Sequence, residues 1–175
     1  PDTVEYIQVK GGPNAGEIGH APFTNANVYD ANKKRESNLA LDFEEGVTVE
    51  FWLKKAALVS DSKTGIETLF DVWNGSTTSD GFGRLLVGWA IADGELTALV
   101  QSGSVSNGFS LSELTISTDD KWHHYAVSLK SEDSSLVARF YKDGDCIGRD
   151  TDTNLGEITG SLIANIGAAR IPATT

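Results

Sequence analysis

Apolar and polar residues alternate with a period of two along much of this chain, and no stretch places apolar residues at helical spacing. Val47, Val49, Phe51 and Leu53 alternate with Thr48, Glu50, Trp52 and Lys54, the pattern of a half-buried strand. Tyr125, Val127 and Leu129 alternate with Ala126, Ser128 and Lys130 in a second strand. A small polar loop, 131–135, separates it from a third over 136–142. Similar patterns predict strands at 39–43, 69–73, 85–91, 96–101, 111–116 and 161–167, with a weaker one at 4–10. Glu44-Glu45-Gly46, Asn74-Gly75, Asp93-Gly94 and Asp143-Gly144 punctuate them; the last is a strong hairpin signal, because a type I′ turn needs positive φ at its centre. Residues 103–107 read as a loop, and 11–37, rich in Gly, Asn, Ala and Pro, as a long irregular segment. Short strands at regular spacing predict an all-β fold, a two-sheet antiparallel sandwich forming one domain over residues 1–175. Its expected core contains Leu41, Phe43, Val49, Phe51, Leu69, Val87, Trp89, Val127, Leu129, Phe140 and Ile166.

Composition narrows the function classes. A formal net charge of −11 would repel phosphate backbones and anionic membranes, which argues against a nucleic-acid partner. No apolar run approaches the ~20 residues that cross a bilayer as a helix, so membrane insertion is not expected. The only basic run, Lys33-Lys34-Arg35, reads as a solvated turn. Cys146 is alone, which excludes an internal disulfide and a Cys-based zinc site. The chain neither starts with Met nor contains one, so its N-terminus reads as processed or cut from a longer protein.

Two segments carry a family resemblance. Trp122-His123-His124-Tyr125-Ala126-Val127 and Phe140-Tyr141-Lys142-Asp143-Gly144 resemble the W-H-H-x-A-V and L-Y-x-D-G hallmarks of laminin-G-like and pentraxin-like domains, members of the concanavalin A-like lectin/glucanase superfamily. Phe140 replaces Leu and keeps the position apolar. Val47-Thr48-Val49-Glu50-Phe51-Trp52-Leu53-Lys54 is similar to that family's F-T-I-E-F-W-V-K strand, and the resemblance spans roughly 39–167. It implies a jelly-roll sandwich that binds or adheres through a glycan or protein surface, outside the cell or on a virion. Either a lectin-like domain or a structural or decoration component of a phage particle or similar assembly fits, and a homo-oligomer or larger assembly is compatible with both. The family also follows its I-G-A strand with a closing G-x-I-D-E-x-R-I-Y strand. Here Asn165-Ile166-Gly167-Ala168 is followed only by 169–175. The chain is a fragment, or 4–10 fills the vacancy, or another chain donates a strand; the first is favoured.

Catalysis is not expected. The glucanase branch of the superfamily carries E-x-D-x-x-E or E-x-D-x-E on one strand, with successive acids about 7 Å apart. The acid-rich Asp42-Phe43-Glu44-Glu45 and Asp119-Asp120 sit at turns, and Glu50 has no acidic partner two or four residues away. Of His20, His123 and His124, the last two are adjacent on a strand and point to opposite faces. The resemblance makes them structural, with an imidazole packed beneath a Trp or bonded to a backbone carbonyl.

A cation is the one cofactor in question. Asp150, Asp152 and Asn154 offer oxygens at alternate positions, as calcium loops do. Gly156 at the seventh position and Ser161 at the twelfth exclude an EF-hand. The resemblance implies a rim calcium held by Asp80 together with Asp152 or Asn154; the other reading makes these acids turn formers. Trp52, Trp89 and Trp122 fall in or beside strands, where the core is favoured. Trp73, beside Asn74 and a Gly-Ser-Thr loop, is the exception. It joins Asn74, Phe82 and Phe109, the phenylalanines both in Gly-flanked loops, as an expected exposed ligand contact.

Overall fold

Nine strands in two antiparallel sheets, with no helix, make up the described residues of the computed structural model: 41–58, 65–76, 78, 80–158 and 162–167. The chain divides into units 1–36 and 37–175, and the described residues lie in the second. In chain order the strands are β1 (Val47–Lys54), β2 (Ile66–Trp73), β3 (Gly83–Ala90), β4 (Glu95–Ser102), β5 (Val105–Thr115), β6 (Trp122–Glu132), β7 (Ser135–Lys142), β8 (Asp145–Asp152) and β9 (Ile163–Ile166). One sheet has the order β1-β6-β7-β8, the other β5-β4-β3-β2-β9.

The hairpins follow from turn chemistry. Asp143 and Gly144 have φ of 52° and 93°, and Asp133 and Ser134 of 48° and 69°. Both pairs hold the positive φ that lets two residues reverse a twisted ribbon, so the loop expected at 131–135 shrinks to Asp133-Ser134. Each inner face then follows from parity. Tyr125, Val127 and Leu129 of β6 and Ala138 and Phe140 of β7 meet Val72, Leu85, Val87, Leu96, Ala98, Val100 and Phe109 of the other sheet in one core.

Several expectations need correction. Leu41 and Phe43 are buried as expected but precede β1 in a turn, where the Phe43 carbonyl accepts the Ser131 N–H at 2.7 Å. Val49, Phe51 and Leu69 are only half-buried at the core margin. Ile166 is 63% exposed: β9 has four residues and bonds only β2, and Ile158 and Leu162 fill the core instead. The segment 105–107 is strand, since β5 starts at Val105. Residues 4–10, His20, 33–35, Ser161 and 168–175 lie outside the described residues.

At one side of the sandwich the outermost strands of the two sheets, β5 and β8, meet. A Cβ added at Gly148 would lie 2.9 Å from Leu111 Cδ1, so the glycine lets the leucine tip settle closely against β8. Beside it, the Asp150 carboxylate accepts the Ser110 N–H at 3.4 Å.

Candidate functional site

The register of β1 against β6 builds an aromatic patch on the outer face of the four-stranded sheet. With Val49, Phe51 and Leu53 turned inward, Glu50, Trp52 and Lys54 must face out. They stand opposite Ala126, His124 and Trp122. Trp52 is 64% exposed and Trp122 59% exposed. The two are diagonal cross-strand neighbours, about 7–8 Å apart in such ladders, close enough for large rings to share a surface. The His124 imidazole leans on Trp52, ring centres 5.2 Å apart at 47°, and its Nε2 lies 3.5 Å from the Glu50 carboxylate.

This patch is pinned from beneath by a polar network at the end of β6. The Asp143 N–H donates to the His124 carbonyl at 2.8 Å, and the Asp143 carboxylate accepts the His124 N–H at 2.9 Å. The other Asp143 oxygen lies 2.7 Å from His123 Nδ1, while Asp119 takes His123 Nε2 at 3.2 Å. The hydrogen bond to Asp143 holds the His123 imidazole above its ordinary pKa. Burial opposes this, and the bond to Asp119 adds to it. The same bond, with the His124 N–H, lowers Asp143. For Asp119, burial works against the anion, but the Lys121 N–H and the His123 hydrogen bond outweigh it and its pKa falls too. As expected, the two histidines face opposite ways, each held by its neighbours. The chemistry is that of a rigid scaffold carrying two exposed indoles.

The sequence-based candidates fall elsewhere. Trp73 is 3% exposed, its Nε1–H given to the Ser76 carbonyl at 3.0 Å and its ring 6.2 Å from that of half-buried Phe82. Phe109 is fully buried: β5 continues through its glycine-flanked position and pairs it with Ala98. Neither can serve as an exposed contact. Asn74 holds its own loop together, donating to the Gly81 carbonyl at 2.7 Å and accepting the Ser76 and Gly83 N–H groups at 3.1 Å each. The exposed pair is instead Trp52 and Trp122, although residue type favours the core for both. Strand parity carried the signal, because Trp52 shares its face with Glu50 and Lys54.

The calcium candidates show little of a converged cation site. Asp150 and Asp152 belong to strand β8 and not to a loop. Both Asp150 oxygens accept backbone N–H groups, from Ser110 and from Thr151 at 2.7 Å, and Asp152 accepts that of Asn154 at 2.7 Å. Asp80 is exposed in the β2–β3 connection. Among the described residues no three His, Cys, Asp or Glu side chains gather as metal ligands. Among the described residues the donor set does not form a closed calcium site.

Two carboxylates of β2 are engaged by neighbouring side chains. Glu67 is bound by Lys55 at 3.1 Å and by Trp89 Nε1 at 2.9 Å, and fully buried Asp71 by Arg84 at 2.6 Å.

Comparison with known proteins agrees with this architecture. No curated protein matches the chain. Among solved structures, domains LG4-5 of the mouse laminin alpha1 chain superpose with a TM-score of 0.51 at 14% identity, over 74% of this chain and 30% of that one. A laminin-G family model, described as the concanavalin A-like lectin/glucanases superfamily, matches residues 27–173. The chain therefore belongs to the laminin-G-like domains of the concanavalin A-like lectin/glucanase superfamily.

Proposed function

We propose that this chain is a non-catalytic recognition module that holds a glycan or protein ligand, outside the cell or on a virion, through the outer face of its four-stranded sheet. The observation that carries the reading is the adjacency of Trp52 and Trp122. Two large side chains stay mostly in water although the fold has a core able to take such rings. Indoles held in place on strands are the usual anchors of recognition surfaces, since they offer much area for little entropy loss. Further support comes from the engaged carboxylates, which serve as turn caps and ion-pair partners. Asp42, for example, accepts the Glu44 and Glu45 N–H groups.

An array of glycans and extracellular proteins tests the reading. The chain binds at least one class, and the Trp52→Ala/Trp122→Ala double variant loses that binding while melting as the parent does. Reducing sugar released from β-glucans and abolished by one carboxylate substitution would replace it with an enzyme. Stable self-association with no array signal would favour the assembly component.

A further inference from the structure

We propose that the Trp52–Trp122 face takes a neutral oligosaccharide, one pyranose ring stacked on each indole; this rests on the binding reading and names its ligand class. Three features select that chemistry. First, indole faces carry partial negative charge and attract the partially positive C–H groups on the flat side of a sugar ring. Glu50 and Lys54, 69% and 42% exposed, border the rings as acceptor and donor for sugar hydroxyls.

Second, among the described residues the cations beside the rings already face acids. Lys54 lies 3.4 Å from Asp120 and Lys121 3.9 Å from Asp119, while Glu50 adds a carboxylate 3.5 Å from His124. Such a border does not select an anion, which favours a neutral ligand. Third, the exposed apolar area is concentrated in the two rings. Along the rest of the outer face Ala126 and Val137 are buried and Tyr141 half-buried, while Ser128, Lys130, Arg139 and Arg149 are polar. A stable protein interface needs about 800 Å² per partner around an apolar centre, more than the roughly 500 Å² that two indoles offer at most.

The stacking surface is fixed before a ligand arrives. Asp143 clamps the His124 backbone on both sides, and the imidazole supports Trp52. Preorganisation of this kind reduces the ordering cost that weakens flexible sugar sites.

The test titrates the full chain with cellopentaose, laminaripentaose, mannopentaose and chitopentaose, by calorimetry and tryptophan emission. Heparin serves as the anionic comparison and sedimentation reports self-association. At least one neutral pentasaccharide binds, with little dependence on added salt. Trp52→Ala and Trp122→Ala each weaken it about tenfold or more at unchanged melting temperature, and Trp52→Phe restores part of the loss. Neutral-sugar binding that survives both alanine variants overturns the assignment and leaves the binding reading intact. So does binding of heparin alone, or self-association lost in Trp52→Ala. Absence of binding to every sugar, heparin and array protein overturns both.

Discussion

Replacing Tyr125 by Phe deletes one oxygen and keeps a ring. The Tyr125 side chain is fully buried and stacks on Phe51, centroids 5.7 Å apart. Its hydroxyl accepts the Ser117 N–H at 2.8 Å, and Ser117 Oγ in turn accepts from Lys142 Nζ at 2.7 Å. The variant keeps the apolar contacts and the Lys142 ammonium 5.9 Å from the ring centre, but it strips the Ser117 N–H of its acceptor. An intramolecular hydrogen bond contributes about 0.5–1.5 kcal/mol net, and a donor kept dry costs up to about 3. Ser117 is half-exposed, so water can reach it and the expected loss is about 1 kcal/mol. In melting temperature that is about 2–4 °C. Tyr125→Ala also removes the ring and costs about 3–5 kcal/mol, as aromatic-to-alanine changes in cores do. Urea unfolding of both variants gives the two numbers, and hydrogen exchange at Ser117 locates the first. Unchanged stability in Tyr125→Phe with the Ser117 amide still protected would refute the reasoning, as would equal losses in the two variants.

Acidity should act through the carboxylate–imidazole network. The raised His123 pKa stabilises the fold fully below its ordinary value near 6.5 and less as pH rises through the raised one. The lowered Asp143 and Asp119 pKa values stabilise it above the ordinary 3.8 and less as pH falls through the lowered ones. Melting temperature should therefore decline above about pH 6.5 in the parent but not in His123→Gln; parallel curves would refute the link. Asp152→Ala should cost about 1 kcal/mol through the lost Asn154 N–H acceptor, with chelator changing neither protein. Bound calcium at a hundredfold excess over its Kd would add about 2.7 kcal/mol, so a chelator-sensitive melt in the parent alone would reinstate the metal. Gly88→Ala would drive a Cβ into the Glu67 carbonyl oxygen and Ile66, costing about 1–3 kcal/mol on urea unfolding; a neutral result would show that the β2 bulge can yield.

Much of the fold was legible because parity and turn chemistry agree. Val49, Phe51 and Leu53 name one face of β1, Tyr125, Val127 and Leu129 one face of β6, and Asp143-Gly144 can only be a tight reversal. The polar edge strand was not legible. Asp145-Cys146-Ile147-Gly148-Arg149-Asp150-Thr151-Asp152 has no apolar alternation and becomes strand β8 through its pairing with β7, a tertiary gain that overrides local propensity. Phe109 failed for a related reason, the glycine before it suggesting a loop where β4 supplies a partner. At the site, the outward orientation of Trp52 was written in its neighbours Glu50 and Lys54. Residue type, which favours burial of Trp, outweighed the position.

The meeting of β5 and β8 also decides how the sandwich resists force. Sheets joined only by apolar contact can slide, because that attraction has no direction. At this seam Leu111 sits in the notch left by Gly148, and Asp150 reaches across to the Ser110 amide. Sliding along the strands would move the leucine off that notch and stretch the amide contact at the same time, so the seam opposes shear by shape and by a directed bond as well as by apolar contact.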